Sequence, residues 1–392
     1  MDMPKVPKVI LLIEDSRTYG RQLLRGIARY AHLYGPWTFY RQAPFYLMPG
    51  LRKNTLDKLK DWGADGMILR DHVENCAELL AMNLPAIVCI SAKGQIPGLP
   101  YVLTNNVAIG RIAAEHLLNR GFKNFGYCGF DDLRWSQQRG ESFSKRAKKS
   151  GFETSFYKQP NISSMRSWED ELALLVDWLK SLPKPVGVLA CNDDRAQNIT
   201  EACKTAGLHI PGEVAVIGVD NDDLICGLSE PPISSISLNV EKAGYKAAEL
   251  LDKLMAGKET MAGQTIIVEP LDVVTRQSTD ILAIEDPEVA AAVHFIHQNC
   301  KEPIQVDNVV DATTMSRRAL ERRFRKIVGR SIHNEIRRVR IAQVTRMLLE
   351  TNLSVSQIAL ALNFPGHEHI GRYFRREKGM SPLAYRNRYS CK

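Results

Sequence analysis

The chain has 392 residues, too many for one ordinary hydrophobic core, and its composition is that of a globular protein, with 44% hydrophobic and 24% charged residues. Residues 286–392 carry 19 basic and 10 acidic residues, whereas the other 285 residues carry 33 basic and 34 acidic ones. The surplus positive charge therefore lies in the C-terminal quarter alone, which indicates a polyanionic partner for that segment. No apolar run approaches the ~18 residues of a membrane span, and residues 9–13 are too few for a signal peptide, so we expect a cytoplasmic protein without a membrane partner.

The eight cysteines are scattered along the chain, and no two of them form a CxxC pair. Several stand in apolar runs, as Cys89 does between Val88 and Ile90. We therefore expect reduced core cysteines, with no disulfide, no metal site and no cofactor. The eight are Cys76, Cys89, Cys128, Cys191, Cys203, Cys226, Cys300 and Cys391.

Residues 8–275 alternate between short apolar runs and longer amphipathic stretches. The apolar runs, which predict strands, are residues 9–13, 66–69, 86–90, 125–129, 186–190 and 214–219. The amphipathic stretches, which predict helices, are residues 19–32, 56–62, 107–119, 136–149, 168–182, 195–206 and 240–256. This alternation predicts parallel sheets covered by helices, and the length favours two lobes of similar build. The sequence thus predicts a two-lobed α/β domain over residues 1–275.

Three of the predicted strands end in polar residues, at 14–16, 192–194 and 220–222. Ligands of parallel α/β sheets bind at the carboxyl ends of the strands, and carboxylates and amides suit the hydroxyls of a sugar. The alternative is that these residues only cap the helices that follow. The sequence has no Gly-rich phosphate loop, and no set of residues has the spacing of a nucleophile or a metal site, so we expect no enzyme activity and no catalytic residues.

The pattern changes at residues 276–286, which read as a linker, and residues 287–392 are predicted to be all helix. This segment contains an internal repeat. Residues 306–312 (VDNVVDA) match residues 355–361 (VSQIALA) at an offset of 49, and an arginine-rich stretch ending in Gly329 matches one ending in Gly379 at an offset of 50. Each copy has a short apolar helix, a turn and a second helix rich in arginine, which predicts two helix-turn-helix units at about 306–329 and 355–379. The 19 residues 332–350 between them would span ~28 Å as a helix, close to the ~34 Å repeat of the major groove.

Residues 287–389 resemble the AraC/XylS family of DNA-binding domains. The resemblance rests on IA at 358–359, NF at 363–364, RYFRR at 372–376, GMSP at 379–382 and YR at 385–386. It implies a DNA-binding set of Ser316, Arg317, Arg318 and Arg322 in the first unit and of His367, Glu368 and Arg372 in the second. Arginine can bridge guanine O6 and N7, and glutamate can accept from cytosine N4. Ile370 and Asn363 depart from the family's usual aromatic residue and glycine, changes that a packed position and a turn tolerate.

The α/β body resembles the periplasmic-binding-protein-like (type I) sensor domain of LacI-type regulators. The resemblance rests on CND at 191–193, IGVDN at 217–221, ISSI at 233–236 and QRGESF at 138–143. It implies ligand contacts from Asp15, Ser16, Tyr19, Trp135, Arg139, Asn192, Asp193, Asp220 and Asn239. LacI repressors carry their DNA-binding domain at the N-terminus, so the order of domains is reversed here.

Together the two resemblances imply a bacterial, nucleoid-associated activator of sugar catabolic genes that binds double-stranded promoter DNA. They favour D-xylose as the small sugar effector, and they imply a homodimer that contacts RNA polymerase. Three alternatives stay open: the same architecture with another sugar or metabolite, a sugar-modifying enzyme tethered to DNA, and a DNA-bending protein whose body binds nothing.

Overall fold

The computed structural model describes residues 6–41, 59–70, 76–90, 95–158, 168–261, 263–280, 284 and 286–389. Residues 56–58 of the helix predicted at 56–62, part of the predicted linker, Cys391, residues 1–5 and residues 390–392 lie outside these residues. The predicted α/β body is confirmed as two lobes, each built on a six-stranded sheet.

The first lobe contains a fully parallel sheet in the order β11-β5-β4-β3-β1-β2. Its elements are β1 Lys8–Leu12, α1 Thr18–Tyr34, β2 Thr38–Arg41, β3 Gly66–Arg70, α2 Cys76–Leu80, β4 Ala86–Cys89, β5 Tyr101–Thr104, α8 Val240–Met255 and β11 Thr265–Val268. The four residues 9–12 of the first strand are buried, as a central strand between two layers of helices requires.

The second lobe has the sheet order β12-β10-β9-β8-β6-β7, in which only the β10–β12 pair is antiparallel. Its elements are α3 Asn106–Leu118, β6 Asn124–Cys128, α4 Arg134–Lys148, β7 Thr154–Phe156, α5 Trp168–Ser181, β8 Val186–Ala190, α6 Asp193–Ala206, β9 Val214–Val219, α7 Asp223–Leu228, β10 Ser234–Leu238 and β12 Pro270–Val274. The chain enters this lobe after β5, returns to the first lobe for α8 and β11, and ends in the second lobe with β12.

Part of the predicted linker belongs to the second lobe. Arg276 donates from Nη1 to the carbonyl of Ile233 at 2.9 Å, and the side chains of Ser278 and Thr279 are fully buried. Ser278 accepts a hydrogen bond from the backbone of Ser234 at 2.8 Å. Residues 276–279 therefore close the sensor domain, and the connection to the next domain begins after them.

The C-terminal segment is all helix within the described residues, as predicted. Its helices are α9 Pro287–Gln298, α10 Val306–Asp311, α11 Arg317–Val328, α12 Ile332–Glu350, α13 Val355–Ala361, α14 His367–Lys378 and α15 Pro382–Tyr389. Helices α10 and α11 form the first helix-turn-helix unit, and α13 and α14 form the second. Both recognition helices end in a left-handed glycine, Gly329 or Gly379, which a residue with a Cβ would adopt only with strain.

The spacer helix α12 contributes to two separate hydrophobic cores. Its first half buries Ile336 and Val339 with Phe324 of the first unit, and its second half buries Val344 and Leu348 with Phe374 of the second. Both phenylalanines are fully buried, so they are packing anchors. One continuous helix therefore fixes the two units relative to each other.

The sequence predicted reduced cysteines, no metal site and no membrane span. All of their cysteines are free thiols, and all but Cys76 are buried. The search of these residues finds no group of side chains that would hold a metal ion and no helix long and apolar enough to cross a membrane.

Candidate functional site

A cavity of about 320 Å³ lies between the carboxyl ends of the two sheets and is lined by both lobes. This volume is at the lower end of the ~300–1,000 Å³ typical of small-molecule sites. Six of the residues predicted as ligand contacts line it: Tyr19, Trp135, Arg139, Asn192, Asp193 and Asp220. The structure therefore brings together residues that are up to two hundred positions apart in the sequence.

Arg139 is held rigidly at one wall of this cavity. Helix α4 packs closely against α3 at Gly110, where a Cβ would lie only 2.3 Å from the Arg139 carbonyl oxygen. The Arg139 guanidinium donates from Nε to Asn106 Oδ1 at 3.0 Å and from Nη1 to the Cys191 carbonyl at 2.5 Å, and it stacks 4.8 Å from the centre of the Trp135 ring. Its position is thus fixed before any ligand arrives.

Asp193 is buried, and its carboxylate oxygens both have protein partners. Ser235 donates to Oδ1 at 2.5 Å, and the backbone of Asp222 donates to Oδ2 at 2.7 Å. Burial, together with the negative charge of Asp220, raises the pKa of Asp193 well above its usual value. This carboxyl group supports the loop after β9 as well as facing the cavity.

Asp220 differs from Asp193, because its buried Oδ1 has no hydrogen-bond partner among the described residues. The residue has a φ of 103°, an unusual conformation for a side chain other than glycine. Burial raises the pKa of Asp220 to about 6, although the charges of Arg139 and Arg70 oppose the shift. A strained residue whose buried carboxylate oxygen has no partner among the described residues is suited to accept a hydrogen bond from a ligand.

The first lobe supplies Tyr19, Arg70 and Glu14 to the cavity. The Tyr19 side chain is buried at the start of α1, and its hydroxyl lies 3.4 Å from Thr104 Oγ1. Burial raises the pKa of this hydroxyl, so Tyr19 remains a neutral donor and acceptor with an apolar ring. Arg70 ends β3, and its Nη1 lies 3.5 Å from Glu14 Oε2.

Two ion pairs join the lobes at the edge of the cavity. Arg17 at the start of α1 donates from Nε to both carboxylate oxygens of Asp194 at 3.0 Å. Asp222 accepts from the Thr18 backbone at 2.7 Å and from Arg21 Nη2 at 2.9 Å. The separation of the lobes is therefore set by bonds that connect α1 with the polar ends of β8 and β9.

Three of the predicted ligand residues do not line the cavity. Asp15 forms an ion pair with Arg41 and is exposed, and the Ser16 hydroxyl bonds to Glu14 Oε1. Asn239 is buried at the start of α8. Asn192 does line the cavity, but its Oδ1 also caps α6 by accepting from the Arg195 backbone at 2.9 Å, so the capping alternative holds for that atom.

Sequence reasoning missed several residues of the cavity. Glu14, Arg17, Arg70, Asn106 and Gln138 line it, and none of them was in the predicted set. The rule that ligand residues lie at the ends of strands could have identified Glu14 and Arg70, since Glu14 follows the apolar run of β1 and Arg70 ends β3. Asn106 and Gln138 lie on helices, and only the approach of α3 to α4 brings them to the cavity.

The predicted DNA-binding residues of the first unit lie on an exposed face at and after the start of α11. Ser316 is the residue before the helix, although its side chain makes no capping hydrogen bond. Arg317 pairs with Asp307 at 2.8 Å and with Glu321 at 3.2 Å, so protein carboxylates already occupy it. Arg318 and Arg322 are exposed beside Arg325 and Lys326, which makes this face strongly basic.

The second unit presents a similar face. His367, Glu368 and Arg372 are exposed on α14, while Ile370 and Phe374 are buried on its opposite side. Asn363, where the family usually has glycine, adopts a left-handed φ of 49°, which asparagine tolerates better than most residues. Ile370 is fully buried in the core.

The two helix-turn-helix units are attached to different lobes of the sensor domain. Arg330, just after α11, donates to Asn119 Oδ1 at the end of α3 at 2.7 Å. Lys242 on α8 donates to the Asn387 carbonyl in α15 at 2.7 Å. Helix α3 begins at the cavity with Asn106, so its two ends contact the ligand cavity and the DNA-binding domain.

A cluster of buried charges lies beneath the first of these attachments. Glu335 on α12 is fully buried and accepts from Arg330 Nε at 2.5 Å and from Arg338 at 2.7 and 3.0 Å, with His297 3.5 Å away. Burial would raise the pKa of Glu335, but the hydrogen bonds and positive charges of these neighbours hold it well below the usual value.

Models of known protein families match both the α/β body and the C-terminal helical segment. A periplasmic-binding-protein-like domain model matches residues 114–279, and a helix-turn-helix domain model matches residues 309–388. The chain is 30% identical to the xylose operon regulatory protein of Escherichia coli (strain K12) over 388 residues, 97% of each chain. It is 29% identical to the protein of that name from Haemophilus influenzae, over 97% of this chain and 98% of the relative.

Solved structures give the same result. The structure of the xylose-binding transcription activator xylR matches with a TM-score of 0.61 and 28% identity and covers 99% of both chains. The cellobiose complex of the transcriptional regulator CelR matches 70% of this chain and 86% of its own, with a TM-score of 0.55 and 18% identity, which shows the fold of the sensor domain alone. The chain belongs to the family of the xylose operon regulatory proteins, and it is a DNA-binding transcription regulator in which a periplasmic-binding-protein-like domain precedes an AraC-type helix-turn-helix domain.

Proposed function

We propose that the chain is a sugar-responsive transcription activator whose effector binds in the cavity between the lobes. One observation carries the proposal: the cavity presents Asp220 Oδ1, which is buried with no partner among the described residues, together with the rigid guanidinium of Arg139 and the apolar rings of Tyr19 and Trp135. A sugar offers hydroxyls that donate and accept and carbon faces that pack on aromatic rings, so it can satisfy all of these groups together.

D-xylose is the effector that we favour among sugars. This choice is supported by the similarity of nearly the whole chain to xylose operon regulatory proteins and to a xylose-binding activator. The cavity volume of about 320 Å³ also suits a monosaccharide better than a longer saccharide. Another pentose, a hexose or a polyol is the alternative that the first experiment distinguishes.

Sugar binding would act on DNA through the two attachments between the domains. Asn119 lies on the second lobe and Lys242 on the first, and each holds a different helix-turn-helix unit. Because α12 joins the units rigidly, a change in the separation of the lobes alters the fit between the sensor and the DNA-binding domain. A ligand that binds one arrangement better shifts the population toward it.

The first experiment measures thermal unfolding of the full chain with D-xylose, L-arabinose, D-ribose, D-glucose and xylitol. A ligand that binds the native state alone raises Tm, and at 100 times its Kd it stabilises by about 2.7 kcal/mol. We expect the largest rise with D-xylose. A larger rise with another sugar would replace D-xylose as the effector, and no rise with any sugar would contradict the proposal.

The second experiment selects duplexes from a random library with the full chain and D-xylose, and it then compares DNA affinity with and without the sugar. We expect a tandem pair of half-sites and tighter binding with sugar. Arg372→Ala serves as the control, because it should weaken DNA binding by about 1–3 kcal/mol and leave the sugar-induced rise in Tm unchanged.

A double variant, Asn119→Ala with Lys242→Ala, tests the route between the sites. It removes both attachments and leaves the cavity and the recognition helices intact. We expect each ligand to bind alone as before, while the effect of sugar on DNA affinity becomes smaller. An unchanged effect of the sugar would exclude these attachments as the route.

Four further parts of the proposal rest on the sequence, the first two on the family resemblance and the last on the lack of residues with the spacing of a nucleophile or a metal site. They are that the chain acts as a homodimer, that it contacts RNA polymerase, that it works in the cytoplasm at the nucleoid, and that it has no enzyme activity. Sedimentation of the full chain with and without promoter DNA tests the first, and incubation of sugar with the chain followed by analysis of the sugar tests the last.

A further inference from the structure

Arg70 is a cavity residue with a buried donor that has no acceptor among the described residues. Its side chain is 19% exposed, and its Nε is buried with no partner among the described residues. The nearest carboxylate, Glu14, lies 3.5 Å from Nη1, beyond a strong hydrogen bond, and Glu14 Oε1 already accepts from the Ser16 backbone at 2.6 Å. A buried guanidinium N–H without an acceptor costs free energy unless a ligand or water supplies one.

The matching unsatisfied acceptor is on the other lobe. Asp220 Oδ1 is buried with no partner among the described residues, and Arg70 and Asp220 line the same cavity from opposite lobes. The positive charge of Arg70 also opposes the rise in the pKa of Asp220. No direct hydrogen bond joins them among the described contacts. One donor and one acceptor that face a shared space without touching are the partners that a single hydroxyl needs, because a hydroxyl accepts through a lone pair and donates its proton.

We infer that Arg70 is a specificity-determining residue, which donates from Nε to a ligand hydroxyl that in turn donates to Asp220. This inference rests on the proposed function and assigns to Arg70 a role on the first lobe that complements Arg139 on the second. The bridging hydroxyl would join the lobes through the ligand, whereas the Arg17–Asp194 pair joins them directly. A sugar that lacks this hydroxyl, or carries it on the other face of the ring, leaves both groups unsatisfied.

The chain offers a matched control outside the cavity. Arg41 ends β2 of the first lobe, as Arg70 ends β3, but it pairs with Asp15 and does not line the cavity. Arg70→Met and Arg41→Met remove the same chemical group from the full chain. We expect Arg70→Met to weaken D-xylose binding by about 10- to 100-fold, the range for a lost hydrogen bond to a charged group, and Arg41→Met to change it by less than about twofold.

Arg70→Lys separates the hydrogen bond from the charge. Lysine keeps the positive charge but has no donor at the ε position, so we expect a loss close to that of Arg70→Met. Calorimetric titration with the monodeoxy derivatives of D-xylose identifies the hydroxyl. One derivative should bind the wild-type chain at least as weakly as D-xylose binds Arg70→Met, because it loses the bonds to both Arg70 and Asp220, and this derivative should lose nothing further in the variant.

The outcomes distinguish this inference from the proposed function. Sugar binding by the wild-type chain with equal binding by Arg70→Met overturns the role of Arg70 and leaves the proposed function intact. Full affinity of Arg70→Lys overturns the assignment to Nε, and a wild-type chain that binds no sugar overturns both. Thermal unfolding without sugar and retained DNA binding show that the variants are folded.

Discussion

Two buried carboxylates, Asp220 in the sensor domain and Glu335 in the DNA-binding domain, have opposite electrostatic environments. Burial acts on both and disfavours the charged form. Glu335 receives hydrogen bonds from two arginines, and its pKa is held far below the usual value. Asp220 has arginines nearby but no hydrogen bond to Oδ1, and its pKa rises to about 6. A completed ion cluster therefore stabilises a domain, whereas an incomplete one is available to a ligand.

The largest effect should follow from breaking the completed cluster. Glu335→Gln leaves the half-buried Arg330 and Arg338 beside a neutral side chain. Removal of one partner from a fully buried ion pair costs about 3–5 kcal/mol, and this is the upper bound here because the arginines keep contact with water. We expect a large fall in the unfolding temperature of the DNA-binding domain, measured by calorimetry on the full chain. Because the pKa of Glu335 is lowered, its contribution is present above the usual value of 4.5 and is lost as the pH falls below it.

Glu321→Gln is the matched control for this prediction. Glu321 also pairs with an arginine on a helix of the same domain, but its side chain is 47% exposed, so we expect a much smaller loss. Equal losses in the two variants would show that burial does not set the contribution of Glu335, and the comparison with Asp220 would fail.

A smaller effect is expected from the incomplete site. Asp220→Asn keeps the size of the side chain but replaces a charged acceptor, which should weaken D-xylose binding by about 10- to 100-fold and abolish most of the sugar-induced rise in Tm. Asp15→Asn is the control, since Asp15 is exposed and does not line the cavity. Unchanged sugar stabilisation in Asp220→Asn would remove Asp220 from the site.

The smallest effect concerns pH. Since the pKa of Asp220 is about 6 without ligand, the carboxylate that accepts from the sugar is mostly present at pH 7 and mostly protonated at pH 5. We expect the affinity for D-xylose to fall about tenfold between these values, as titration of one group with that pKa requires. The pH dependence should disappear in Asp220→Asn, and a flat profile in the wild-type chain would place the pKa elsewhere.

The sequence was sufficient to predict the architecture but only part of the cavity. The apolar runs predicted β1, β3, β4, β6, β8 and β9, which are central strands or lie next to them, and the repeat predicted both helix-turn-helix units and a spacer over residues 332–350, as observed. Shorter or more polar strands, such as β7 Thr154–Phe156 and β10 Ser234–Leu238, lack a continuous apolar run and were missed.

The sequence predicted only part of the cavity for a physical reason. Position after a strand was enough to find Asp193 and Asp220, but it also selected Asp15, whose carboxylate pairs with Arg41 outside the cavity. Whether a buried polar group is already satisfied depends on partners from distant segments, as with Ser235 for Asp193. The distinction between Asp193 and Asp220 therefore appears only in three dimensions.

The spacer helix α12 has a consequence for how this regulator can change over time. Because the helix belongs to both cores, insertion of a single residue would turn the second unit by about 100° about the helix axis and shift it by ~1.5 Å. The second recognition helix would then no longer align with the major groove, even though every base-reading residue was kept. Loops elsewhere in the chain can gain or lose residues, whereas the length of this helix is fixed by the pitch of the double helix.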